Sequence, residues 1–89
     1  MVTFKSKYRV LYTMKKDDEE LFLKALGERI RQLRIQAGYT SQEDFSYDAD
    51  IPRAQYGRYE KGVNITITNL RKIARFHKLT LEQFFSKIK

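Results

Sequence analysis

Apolar residues that return every third or fourth position, in blocks closed by glycine or capping residues, restrict this chain more than any other feature. Phe22, Leu26, Ile30, Leu33 and Ala37 form one such stripe, and Gly38 follows it as a helix-ending residue. Asp17 to Glu20 stand just before the stripe, where acids favour the positive end of a helix starting there. Thr40 and Glu43 have the spacing of a capping box, opening a short second helix whose inward face carries Phe45 and Ala49. Asp50 tolerates the left-handed backbone of a tight turn. Pro52 suits the first turn of a third helix, which runs through Tyr56 and Tyr59 to Gly62. Thr66 can cap a fourth helix with Ile67, Leu70, Ile73 and Ala74. Thr80 with Gln83 opens a fifth, carrying Leu81, Phe84, Phe85 and Ile88. The expectation is an all-α, compact five-helix bundle.

Residues 1–16 read differently. Phe4, Tyr8, Val10, Tyr12 and Met14 alternate with Lys5, Lys7 and Arg9, and Lys15 and Lys16 follow without an acid. This is a strand pattern with no second strand nearby to pair with. A disordered arm, a strand pairing with a symmetry mate and a minor-groove arm all fit it. Met14, followed by Lys-Lys-Asp-Asp-Glu-Glu, also resembles a natural start. The expected division is a weakly ordered, flexible or extended N-terminal arm over residues 1–17 and a domain over 18–89.

Eighty-nine residues suffice for one modest core. No apolar run approaches the length of a membrane span, and no signal-peptide pattern opens the chain. Without cysteine there is neither a disulfide framework nor a thiolate metal site, and the single histidine, His77, has no partner for one. One histidine, no cysteine and no glycine-rich phosphate loop also argue against an enzyme. No cofactor is expected, and the plain reading is an intracellular, cytoplasmic protein. The net charge of +7 then points to a polyanionic partner. RNA is disfavoured because no aromatic-rich strand appears.

Between Phe45 and Tyr59 the spacing becomes specific. Two short helices locked at a steep angle need a large apolar anchor (Phe45), a small neighbour (Ser46), a turn residue (Asp50) and a packing residue just beyond it (Ile51). Tyr56 and Tyr59, three apart, turn the second of these helices inward. Arg53, Ala54, Gly57 and Arg58 are then forced outward, a face of small residues and arginines able to enter a major groove. The acids Glu43, Asp44 and Asp48 would repel phosphate and are expected to face away from DNA.

The stretches "LGERIRQLRIQAGYTSQEDFSYDADI", "PRAQYGRYEKG" and "NITITNLRKIARFHKLTLEQFF" resemble the Cro/lambda-repressor-type, or Xre-like, helix-turn-helix family over about two thirds of the chain. The resemblance implies a lambda-repressor-like DNA-binding domain whose recognition helix, about 52–60, lies in the major groove. It implies that Arg34 pairs with Glu60 beneath that helix. It places base reading on Arg53, Ala54 and Arg58, and phosphate contacts on Ser41, Gln42, Gln55, Lys61 and Asn64. Departures are Asp50 where the family usually has glycine, tyrosines where it has aliphatic inward residues, and one extra residue at Thr40 or Ser41.

The expected function is sequence-specific binding of double-stranded DNA by a transcriptional regulator, a repressor acting as a homodimer. Phe84, Phe85 and Ile88 offer more apolar surface than one short helix needs, and are the expected dimer contact. The alternatives are an antitoxin, which would add a protein partner, a restriction–modification controller protein, and a protein-interaction module of the same fold.

Overall fold

A computed structural model describes the backbone of residues 2–88 and the side chains of residues 17–88. Within it the chain is all-helical, with α1 at Val2–Gln36, α2 at Gln42–Ala49, α3 at Arg53–Glu60, α4 at Ile67–Phe76 and α5 at Leu81–Phe85. None of these helices is long and apolar enough to cross a membrane.

The expected start and stop signals hold, with small shifts. Asp50 takes the left-handed conformation (φ 58°, ψ 50°) and ends α2. Thr66 accepts from the Asn69 amide at the start of α4, and Thr80 with Gln83 forms the complete capping box of α5. The cap of α2 falls one residue later than expected. Ser41, not Thr40, is extended and accepts from the Asp44 amide at 3.3 Å, which leaves the Glu43 side chain out of the cap. Pro52 is likewise the residue before α3 rather than its first helical one.

The backbone of α1 is helical from Val2, where the alternating pattern pointed to an extended segment. A lone strand leaves its amides without partners, whereas a helix closes them within its own segment. Asp17 to Glu20 consequently lie within α1 and exposed, not at its first turn. The side chains of residues 1–16, including the aromatic and cationic ones noted above, lie outside the described residues.

The core gathers Leu26, Ile30 and Leu33 from α1, Phe45 and Ala49 from α2, and Ile51 from the turn. Tyr56 and Tyr59 join from α3, Leu70, Ile73 and Ala74 from α4, and Phe84 from α5. Phe22 and Ala37, at the ends of the predicted stripe, stay exposed, as does Ile67 at the start of α4. Phe45 is the hub, with its ring 4.8 Å from both Tyr56 and Phe76 and 5.3 Å from Tyr39 and His77. Aromatic pairs at such separations contribute about 0.5–1.5 kcal/mol each beyond simple burial.

Phe84 corrects the expected dimer surface. It is fully buried, because the short α5 turns this aromatic inward to close the core. Arg29 of α1 fixes it there, donating to the Phe84 carbonyl at 2.9 Å with its guanidinium 5.7 Å from the ring centre. Phe85 and Ile88 remain half-buried, and Phe85 stacks on Phe22.

Candidate nucleic-acid interface

Helix α3 presents two opposite faces. Its inner face carries Tyr56 and Tyr59 into the core, as their spacing requires. At its end, Glu60 turns beneath the helix and meets Arg34 in a bidentate pair, with Nε at 2.7 Å and Nη2 at 3.3 Å from the two carboxylate oxygens. Both side chains are more than nine-tenths buried. The pair therefore lies inside the protein rather than on its surface.

A charge pair this far from water survives only when its remaining groups are satisfied. Here they are. Arg34 also donates to the Tyr39 carbonyl at 2.9 Å, and Gln42 donates to Glu60 at 2.9 Å. Burial alone would raise the Glu60 pKa. The hydrogen bonds from Arg34 and Gln42, with the Tyr56 hydroxyl alongside, outweigh it and hold the carboxyl below its ordinary value. The Tyr56 hydroxyl makes no well-formed hydrogen bond, and burial first, then the Glu60 carboxylate, keep it protonated.

Gly27 brings α1 and α3 together. A Cβ at this position would lie 2.7 Å from the Glu60 carbonyl oxygen, 2.8 Å from that of Tyr59 and 2.9 Å from the Gly62 nitrogen. All three are backbone atoms, so no side chain can yield. The contact is reciprocal, because Gly62, at φ 91°, abuts the backbone of Leu23 and Lys24. Sequence reasoning passed over Gly27. The available signal was a glycine inside an otherwise strong helical stripe, which costs about 1 kcal/mol and usually answers a packing need.

The outer face of α3 meets the start of α2 in an open concavity of about 360 Å³, lined by Gln42, Arg53, Ala54, Gly57, Arg58 and Lys61. It therefore unites all three residues expected to read bases with two of those expected to hold phosphate. Arg53, Ala54, Arg58 and Lys61 are exposed. Gln42 is only half-buried, but its amide is committed to Glu60, and its carboxamide oxygen lies over Gly57.

Ser41, Gln55 and Asn64 do not line this concavity. Ser41 is occupied as the cap of α2, and Asn64 is exposed in the α3–α4 loop. Gln55 donates to the Tyr59 hydroxyl, which also accepts from Asn69 of α4 at 2.7 Å. Asn69 was absent from the sequence reading. Its partner, Tyr59, lies ten residues away on another helix, and no local pattern announces such a contact.

One expectation about the acids needs correction. Asp48 does turn aside, accepting from the Tyr39 hydroxyl at 2.6 Å. Glu43 instead stands beside the outer face of α3, 3.7 Å from the Arg53 guanidinium. The late α2 cap explains this, since Glu43 is released from the capping role and projects toward the start of α3. His77 ends α4, stacked on Phe45, as a packed histidine would. Among the described residues no group of three metal-ligating side chains occurs.

Residues 30–84 match the helix-turn-helix family. A control protein from Mycoplasma sp, C.MunI, is 35% identical over 63 residues, covering 70% of this chain and 85% of that protein. The control protein C.BamHI from Bacillus amyloliquefaciens is 30% identical over 50 residues, covering 55% of this chain and 62% of that protein. No solved structure matches the chain significantly. With a buried arginine–glutamate pair under the arginine-bearing α3, and a family match across the same elements, the chain belongs to the helix-turn-helix family of DNA-binding transcriptional regulators.

Proposed function

We propose that this protein is a controller-type transcriptional regulator that binds an inverted-repeat operator as a homodimer, with α3 in the major groove. The reading rests on the concavity that gathers Arg53, Ala54, Gly57, Arg58 and Lys61 on one exposed face. Arginine can hold guanine O6 and N7 bidentately, and Ala54 and Gly57 leave room for the helix to enter the groove closely. Lys61, at the end of α3, suits a phosphate. Asn64, in the loop after it, has the reach and exposure for a second phosphate contact.

Gln42 and Gln55 fit phosphate contacts less well than their positions suggested. Both amide donors already serve internal acceptors. Their part in binding is to position α3 rather than to hold the backbone of the duplex. Ser41 contributes through the exposed start of α2 that it caps.

Likeness to two proteins named as control proteins favours the controller reading over repressor or antitoxin. For the dimer, Leu21, Phe22, Phe85 and Ile88 supply the contact, with Phe84 serving the core instead. Two copies would set their recognition helices about one helical turn, ~34 Å, apart.

The direct test is a binding selection from random duplex DNA at fixed, near-physiological salt. Enrichment of one inverted repeat is the expected result. Salt-sensitive binding with no enriched sequence would remove base reading from Arg53 and Arg58. Enrichment of a single half-site would remove the dimer.

A further inference from the structure

The two arginines of the reading face differ in their surroundings. Arg58 has no carboxylate within ion-pair distance among the described residues, whereas Arg53 has Glu43 at 3.7 Å. Both members of that pair are about two-thirds exposed, so it adds little to folding. Its position matters more. Arg53 is the first residue of α3, a helix with no acidic residue in its first turn and no side-chain cap. The positive end of the helix and the guanidinium together form the point on the reading face where an anion is drawn most strongly. Glu43, reaching across from α2, sets a carboxylate beside that point.

We propose that Glu43 is a specificity-determining residue that keeps Arg53 from serving as a phosphate anchor and so reserves it for a base edge. This rests on the reading of Arg53 as a base contact. A phosphate approaching Arg53 meets a fixed negative charge and must displace or tolerate it. A guanine edge presents neutral acceptors and meets no such repulsion. One Nη of Arg53 faces Glu43, and the other edge of the guanidinium remains able to make two parallel hydrogen bonds. The carboxylate therefore lowers affinity for arbitrary DNA more than affinity for the operator, and widens the ratio between them.

The test uses the full chain, the duplex recovered by selection and a scrambled duplex of the same length. Glu43→Gln is expected to tighten binding to the scrambled duplex about three- to fivefold, the scale of one exposed charge contact, with less than about twofold change on the operator. Its salt dependence on the scrambled duplex should steepen by about one phosphate's worth. Guanine preference should relax at the base assigned to Arg53 and hold at the base assigned to Arg58. Asp44→Asn removes the same charge one residue along α2, at an exposed side chain without an arginine partner among the described residues, and should leave the ratio intact. Equal effects of Glu43→Gln and Asp44→Asn, or an unchanged ratio in Glu43→Gln, would overturn the proposal. Arg53→Ala separates the two readings. If it leaves base preference intact, base reading by Arg53 fails and the proposal with it. If it abolishes the preference while Glu43→Gln does nothing, only the role of Glu43 fails.

Discussion

Arg34 and Arg58 are chemically identical and sit on opposite sides of one eight-residue helix, yet they do different work. Arg34, beneath α3, has its guanidinium in bonds to Glu60 and the Tyr39 carbonyl, out of contact with water. Arg58, above it, is exposed and meets no carboxylate among the described residues. The underside is a buried polar network in which Arg34 donates to Glu60 and the Tyr39 carbonyl and Gln42 donates to Glu60, with the Tyr56 hydroxyl left unpaired among the described residues. The upper face leaves its hydrogen-bonding capacity open. On the proposed reading, removing a group from the first harms the fold, and removing one from the second harms recognition.

The sharpest break in this division is Glu60→Ala. It strands the buried Arg34 charge and frees the Gln42 amide, so a loss of about 3–5 kcal/mol is expected in denaturant unfolding. Gly27→Ala follows, at about 1–3 kcal/mol, because the added methyl meets only backbone and forces α1 and α3 apart. If thermal unfolding of Gly27→Ala matched that of the parent, the close approach of the two helices would not be stabilising.

Arg58→Ala tests the other face. Its unfolding curve should be unchanged, while operator affinity falls by about 1–3 kcal/mol and preference relaxes at one base. Lys61→Ala should have a smaller effect, weakening all duplexes alike and reducing the salt slope by about one. An Arg58→Ala protein that unfolded early would show that the upper face also carries structure.

Acidification gives the gentlest probe. Burial first, and the Arg29 charge second, hold the His77 pKa below its usual 6.5. The unfolded chain then binds the proton more readily, so stability should decline as pH falls below about 6.5 toward the folded value. Glu60, also depressed, stabilises above its usual 4.5, and that contribution disappears as pH falls through its folded value. Thermal melts should thus show a shallow loss in mildly acid buffer, absent in His77→Gln, and a second loss below about pH 4.5.

Sequence legibility followed the range of the interaction. Asp50, Thr66 and the Thr80–Gln83 box were readable because turn and cap chemistry is settled within four residues. Tyr56 and Tyr59 were readable because helical spacing fixes their direction. Arg34 and Glu60 are twenty-six residues apart, and only the family resemblance joined them. Gln55, Tyr59 and Asn69 meet through the angle between α3 and α4, which no local pattern encodes. Phe84 was misplaced because apolar residues on a terminal helix look alike whether they close their own core or face a second chain. The helical backbone of residues 2–16 was missed because alternation resembles a strand even where no partner strand exists.

The contact between Gly27, Gly62 and the end of α3 is made by main chain on both sides. The tilt at which α3 is offered to a duplex therefore depends on atoms common to every amino acid, not on the side chains displayed outward. Residues at 53, 54 and 58 can be exchanged without re-angling their support. If those residues read bases as proposed, such a mount lets a lineage, or an engineer, rewrite which operator is chosen while the platform beneath keeps its shape.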